Sequence, residues 1–129
     1  MTKAYAEAFL KKAEEYLSSA QDNVDMERFT VASGDSIHAG ISAKDAIVTM
    51  LTGSTGKSKD HIAAAKELRQ ALGRREEAAS ADRALRELLA AKPDVEYGVT
   101  LTTSVKATAM VRRAQTLVML AADIVRLGQ

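Results

Sequence analysis

The sequence predicts an all-α fold, a single helical bundle. Apolar residues recur at steps of three and four along most of the chain, the period of a helix with one buried face. No stretch sustains the period-two alternation with turn signals that marks strands. The interruptions are short runs of Gly, Ser, Thr, Asn, Asp and the sole Pro. At 129 residues the chain fits one domain, 1–129, of a size that buries about two thirds of the surface its unfolded form exposes.

In the first helix, expected from about residue 3 to 22, Tyr5, Phe9, Ala13, Tyr16, Leu17, Ala20 and Val24 mark the apolar face. The opposite face pairs Lys3 with Glu7, Glu7 with Lys11 and Lys11 with Glu15 at four-residue spacing, about 0.2–0.5 kcal/mol each on a solvated surface. Residues 21–25 read as a turn able to cap a second helix, which starts near Asp25 or Met26 and runs to Leu51 or Thr52. Phe29, Ser33, Ile37, Ile41, Val48 and Leu51 give it a broad buried face, widened by Ala32, Ala39, Ala43 and Ala46. Such a helix belongs in the middle of a bundle, with only the strip from Asp35 to Asp45 and Lys44 polar. Gly34 and Gly40 each cost it about 0.5–1 kcal/mol relative to Ala, which a close helix crossing offsets.

Gly53 to Lys59 breaks the pattern, and Ser58 or Asp60 caps a third helix carrying Ile62, Ala65, Leu68, Ala71 and Leu72. After Gly73–Glu77 a fourth helix spans about Ser80 to Ala91, and Pro93 closes it because proline disfavours helical geometry in the residue before it. The last helix is expected from Val99 to Leu127, apolar over most of its circumference and including Leu101 and Val105.

The absence of Cys excludes disulfides, thiolate metal sites and cysteine nucleophiles and suits a reduced compartment. Two histidines far apart in sequence, His38 and His61, make a poor metal signature, so neither a metal nor another cofactor is expected. A formal charge of +1 gives no global field towards nucleic acid or membrane. The charges within residues 1–20 do not suit a secretory segment, and the apolar runs are too short to cross a bilayer; a cytoplasmic protein is expected.

Asp35, His38, Ser42 and Asp45 step by three, four and three along one strip of the second helix. His38 and Asp45 are about 10 Å apart along a helix axis, too far for direct contact, so His38 is expected at the core edge, bonded to a neighbouring helix. Gly53-Ser54-Thr55-Gly56-Lys57-Ser58 has only two residues between its glycines and a helix before it, so it fails as a nucleotide-cradling loop. His61 beside Asp60 reads as helix-start and surface chemistry, and Lys106, Arg112 and Arg113 are too sparse for a convincing nucleic-acid groove.

The run Ile37-His38-Ala39-Gly40-Ile41-Ser42-Ala43-Lys44-Asp45-Ala46-Ile47, then Lys57-Ser58-Lys59-Asp60-His61 before a helix, then Leu88 to Gly98 before a long final helix, resembles HEPN-domain proteins, particularly small bacterial stand-alone members. The resemblance implies an antiparallel up-and-down bundle of four long helices plus one short helix, often dimeric. It also implies links to nucleotide or RNA biology and to partner proteins such as nucleotidyltransferase-like subunits. Catalytic HEPN proteins carry an Arg followed after four to six residues by a His; here the nearest Arg before His38 is Arg28, and none lies shortly before His61. That departure favours a non-catalytic binding or regulatory module, with His38, Asp45, His61, Lys92 and Tyr97 as ligand-binding candidates. The competing expectations are an RNA-processing nuclease with a rearranged site and a purely structural interaction protein. In an antiparallel bundle Tyr97 could meet Asp35 or His38, with His61 at the opposite end.

Overall fold

Five α-helices account for the regular structure in the computed structural model, which describes residues 2–54 and 60–128 and, of His61, the backbone alone: α1 (Thr2–Asp25), α2 (Phe29–Thr52), α3 (His61–Leu72), α4 (Ala78–Tyr97) and α5 (Ser104–Leu127). No strand occurs among the described residues.

α1 outruns its expected end and α2 starts later than Asp25 or Met26, because the turn between them closes through the backbone. The Arg28 amide donates to the Asn23 carbonyl at 2.7 Å and the Glu27 amide to the Val24 carbonyl at 3.0 Å, with Glu27 left-handed at φ 59°. This is the Schellman arrangement, normally closed by glycine. The N-cap of α2, Arg28, makes no side-chain cap, so none of the expected polar caps at 21–25 is used.

α2 touches each of the other four helices. Its buried positions include Ala32, Ser33, Ser36, Ala39, Gly40 and Ala43. Short side chains let neighbouring backbones come close, which raises the number of dispersion contacts per unit length. The close crossing offsets the glycine cost at one position only: a methyl group on Gly40 would lie 2.6 Å from Leu88 Cδ1 and 3.4 Å from Leu117 Cδ1, whereas on Gly34 it would meet nothing nearer than Val95 at 3.9 Å.

Side-chain pairings fix the helix directions. Tyr16 stacks on His38 and Ser19 bonds Asp35, so α1 and α2 are antiparallel. Leu88 at Gly40 and Glu96 at His38 make α4 antiparallel to α2. The Thr102 amide bonds the Thr30 hydroxyl and Leu117 packs at Gly40, so α5 runs with α2. The short α3 is fastened to α2 through Lys44 and Glu67 and to α4 through Arg69 and Asp82.

Three further expectations about the helices require correction. α4 does not stop before Pro93; it runs through the proline to Tyr97. Pro93 forfeits one backbone hydrogen bond, but Val95 packs partly buried on the core and Glu96 reaches His38, which holds the last turn in place. α5 begins at Ser104, where the Thr103 hydroxyl accepts from the Lys106 amide; Leu101 and Val105 are 80% and 81% exposed instead of buried. On α1, Tyr5 is exposed and the buried stripe passes through Ala6 and Leu10. The expected α3 cap is Asp60, accepting from the Ala63 amide at 2.7 Å; the alternative, Ser58, lies outside the described residues, as does most of the Gly53–Lys59 loop. Among the described residues no helix is long and apolar enough to cross a membrane.

Gly40→Ala should lower stability by about 1–2 kcal/mol, since overpacking against the wholly buried Leu88 outweighs the gain in helix propensity. Gly34→Ala, with room for its methyl, should instead raise it by about 0.5 kcal/mol. Urea denaturation of both variants checks the pair; equal shifts of one sign would contradict the close crossing. Glu27→Gly should stabilise by about 1 kcal/mol by relieving the left-handed backbone at a residue with a side chain, read as a rise in the same denaturation midpoint.

Candidate functional site

Polar residues from three helices converge along the first half of α2. His38, its side chain 45% exposed, lies against the Tyr16 ring with centroids 5.2 Å apart and planes at 29°. Its Nε2 stands 3.4 Å from Glu96 Oε1, on a carboxylate 22% exposed. One turn earlier Asp35 Oδ2 accepts from the Ser19 hydroxyl at 2.7 Å and from Asn23 Nδ2 at 3.1 Å, while Asn23 Nδ2 also donates to the Ser19 carbonyl at 3.0 Å. His38 is thus a core-edge histidine held by neighbouring helices.

The second half of α2 holds a separate ionic group. Lys44, expected to stay polar beside the strip, is buried; its Nζ lies 2.7 Å from Asp45 Oδ1 and 3.0 Å from Glu67 Oε1. Burial pushes the Lys44 ammonium towards a lower pKa, but hydrogen bonds and charge from Asp45, then Glu67, outweigh it and hold the pKa above the ordinary lysine value. Asp45 therefore serves Lys44 and α3, seven residues and about 10 Å along the helix from His38.

Among the described residues, Asp45, Lys92 and Tyr97 make no hydrogen bond, ion pair or ring contact with His38. Tyr97 is 80% exposed and does not meet Asp35 or His38; its neighbour Glu96 does. Lys92 is half-buried on α4. His61 opens α3, at the end of the molecule where α2 finishes, and its side chain lies outside the described residues. Tyr16, Ser19, Asn23 and Glu96 were not expected at the site. Glu96 was legible in principle: it follows Leu85, Leu88 and half-buried Lys92 along one face of α4 by one more four-residue step, a signal hidden by ending the helix at the proline.

The basic residues of α5 are partly neutralised. Arg113 pairs with Glu87, and Lys106 shares a groove of about 310 Å³ with Asp94, Val95 and Leu101. No group of three or more metal-ligating side chains occurs among the described residues. Chemically, the His38 group offers one half-exposed imidazole, a ring face and two carboxylates. Comparison of the chain with protein-family models, curated proteins and solved structures finds no match.

Lys44→Met should destabilise by about 3 kcal/mol at neutral pH, because Asp45 and Glu67 lose their shared cation. A lysine whose folded pKa is raised contributes its full stability below its unfolded value and loses it as pH rises through the folded value. The gap between wild type and Lys44→Met should accordingly shrink in the alkaline range above the ordinary lysine pKa. Denaturation midpoints measured across that range check this, and a gap independent of pH would refute the ionic account.

Proposed function

We propose that the chain is a HEPN-like, non-catalytic binding module: an antiparallel up-and-down bundle of four long helices plus the short α3, working as a homodimer that holds a partner. The observation that supports it best is the company His38 keeps. Cleavage of RNA by general acid–base chemistry needs positive charge at the scissile phosphate as well as a histidine. At His38 the partners are the Tyr16 ring and the Glu96 carboxylate, with Asp35 one turn away, a set that repels phosphate and favours a cationic or hydrogen-bonding group. The arginine spacing of catalytic HEPN proteins is missing from the sequence as well.

The half-exposed imidazole and ring face give a partner an amphipathic anchor, while Glu96 ties that anchor to α4. A protein partner with a basic or amide-bearing contact fits this chemistry better than a nucleotide does. On this reading the links of HEPN proteins to nucleotide and RNA biology reach this chain through the partner.

Native purification of the tagged chain should recover a stoichiometric protein partner, and His38→Ala should weaken that complex at least about tenfold while leaving the helical signal unchanged. Short RNA incubated with the purified protein should stay intact, and nucleotides should leave its melting temperature unchanged. RNA cleavage lost in His38→Ala or His61→Ala would replace this reading with the nuclease, and a nucleotide-induced rise in melting temperature would replace it with a nucleotide-binding one.

A further inference from the structure

α1 lies at the edge of the bundle: among the described residues it packs on α2 and α5 and on neither of the other helices. Its buried face passes through Ala6, Leu10, Ala13 and Ala20. By the helical period, the direction opposite that face is a stripe through Ala4, Ala8, Lys11, Glu15, Ser18 and Asp22, all exposed. The steps along this stripe, alternately four and three residues, read the same from either end.

The charges of α1 are sorted along its length. The first half carries Lys3, Lys11 and Lys12 against Glu7, and the second half carries Glu14, Glu15, Asp22 and Asp25 without a cation. The first turn has no acid and the last turn no base, so the sorting opposes the helix macrodipole. Nor is it relieved within the chain. Among the described residues only Glu14 of these charges forms an ion pair, with Arg126, and the four-residue spacings of Lys3, Glu7, Lys11 and Glu15 close none. A charge pattern that weakens a lone helix is neutralised by a second helix of the same pattern laid along it in the opposite direction.

We infer that a second copy of this chain docks on the outer face of α1, the two helices pairing antiparallel about a two-fold axis level with Ala13. The run Lys11-Lys12-Ala13-Glu14-Glu15 changes sign about that residue, so the axis puts the lysines of each copy over the glutamates of the other. In that register Lys11 faces Glu15 of the second copy, Ala8 faces Ser18 and Ala4 faces Asp22, every one of them on the exposed stripe. The short side chains of Ala8 and Ser18 on either side of the central charges let the two backbones approach, and the opposed macrodipoles attract. Symmetry selects the occupant: reversal with a change of sign makes the stripe complementary to itself, which a foreign partner matches only by carrying the same pattern. The inference rests on the dimeric part of the reading above and names its surface.

Sedimentation equilibrium of the full chain at low salt should give the mass of two copies. The dissociation constant should rise at least about tenfold between roughly 0.05 and 0.5 M salt, because the facing charges stay within reach of solvent ions. Lys11→Glu and Glu15→Lys should each raise it at least about tenfold, with the helical circular dichroism unchanged because both side chains are exposed. Mixed in equal amounts, these two variants should pair with each other, since each then meets the opposite charge. Arg112→Glu, also exposed but on α5, should leave the dissociation constant alone. A wild type of single-copy mass would overturn both the inference and the dimeric reading. A dimer unmoved by salt or by either reversal, or two variants that fail to pair on mixing, would overturn the α1 pairing while the wild-type dimer stands on another surface.

Discussion

A helix can be enclosed by four others only if its side chains are short enough for all of them to approach. α2 meets that condition through Ala32, Ser33, Ala39, Gly40 and Ala43, around which Leu85, Leu88, Leu117, Ile124 and Val125 supply the bulk. Large residues on the surrounding helices interlock with small ones on the central rod, the alternation that gives dense packing without strain. At Gly40 the fit is tightest, with Leu88 and Leu117 sharing the space a side chain would occupy. The enclosure also has a cost: the Ser33 hydroxyl is fully buried without a hydrogen-bond partner among the described residues, an omission of the order of 1–3 kcal/mol.

Enclosure explains the two polar groups of α2. Where it lies between α1 and the end of α4, the helix keeps a partly wet edge, and His38 and Asp35 are met there by Tyr16, Ser19, Asn23 and Glu96. Farther along, α3 covers it and Lys44 is buried, so the ammonium must have carboxylates on hand: Asp45 from its own helix and Glu67 from α3. A buried cation with two hydrogen-bonded acids orients the short α3 as well as charging it, and breaking such a group costs more than the group contributes over an apolar equivalent.

The helices, the central place of α2 and the close crossing at Gly40 were legible because each rests on local periodicity and residue size; Gly34 meets no such crossing. The misreadings share one cause, reliance on local chemistry where distant contacts decide. Pro93 disfavours a continuing helix locally, but the packing of Val95 and the reach of Glu96 to His38 override it. Asp22, Asn23 and Asp25 look like caps, yet Asn23 is drawn to Asp35 across the helix pair and the turn closes at Glu27 instead. Lys44 reads as a position that stays polar until Glu67, far along the chain, is seen to meet its buried ammonium. The site was half legible for the same reason: the strip on α2 could be read, but its partners on α1 could not, and Glu96 on α4 was hidden behind the proline.

The proline within α4 makes the last turn the weakest part of that helix. Without an amide at Pro93, the final turn carrying Val95 and Glu96 is joined to the rest of the helix by one bond fewer than any other turn. That turn and the adjoining connector sit at the low end of the local unfolding scale, so their amides exchange with solvent ahead of those of α2. Fraying there releases Glu96 from His38 without disturbing the enclosed rod, leaving the imidazole to new neighbours while the body of the protein stays folded.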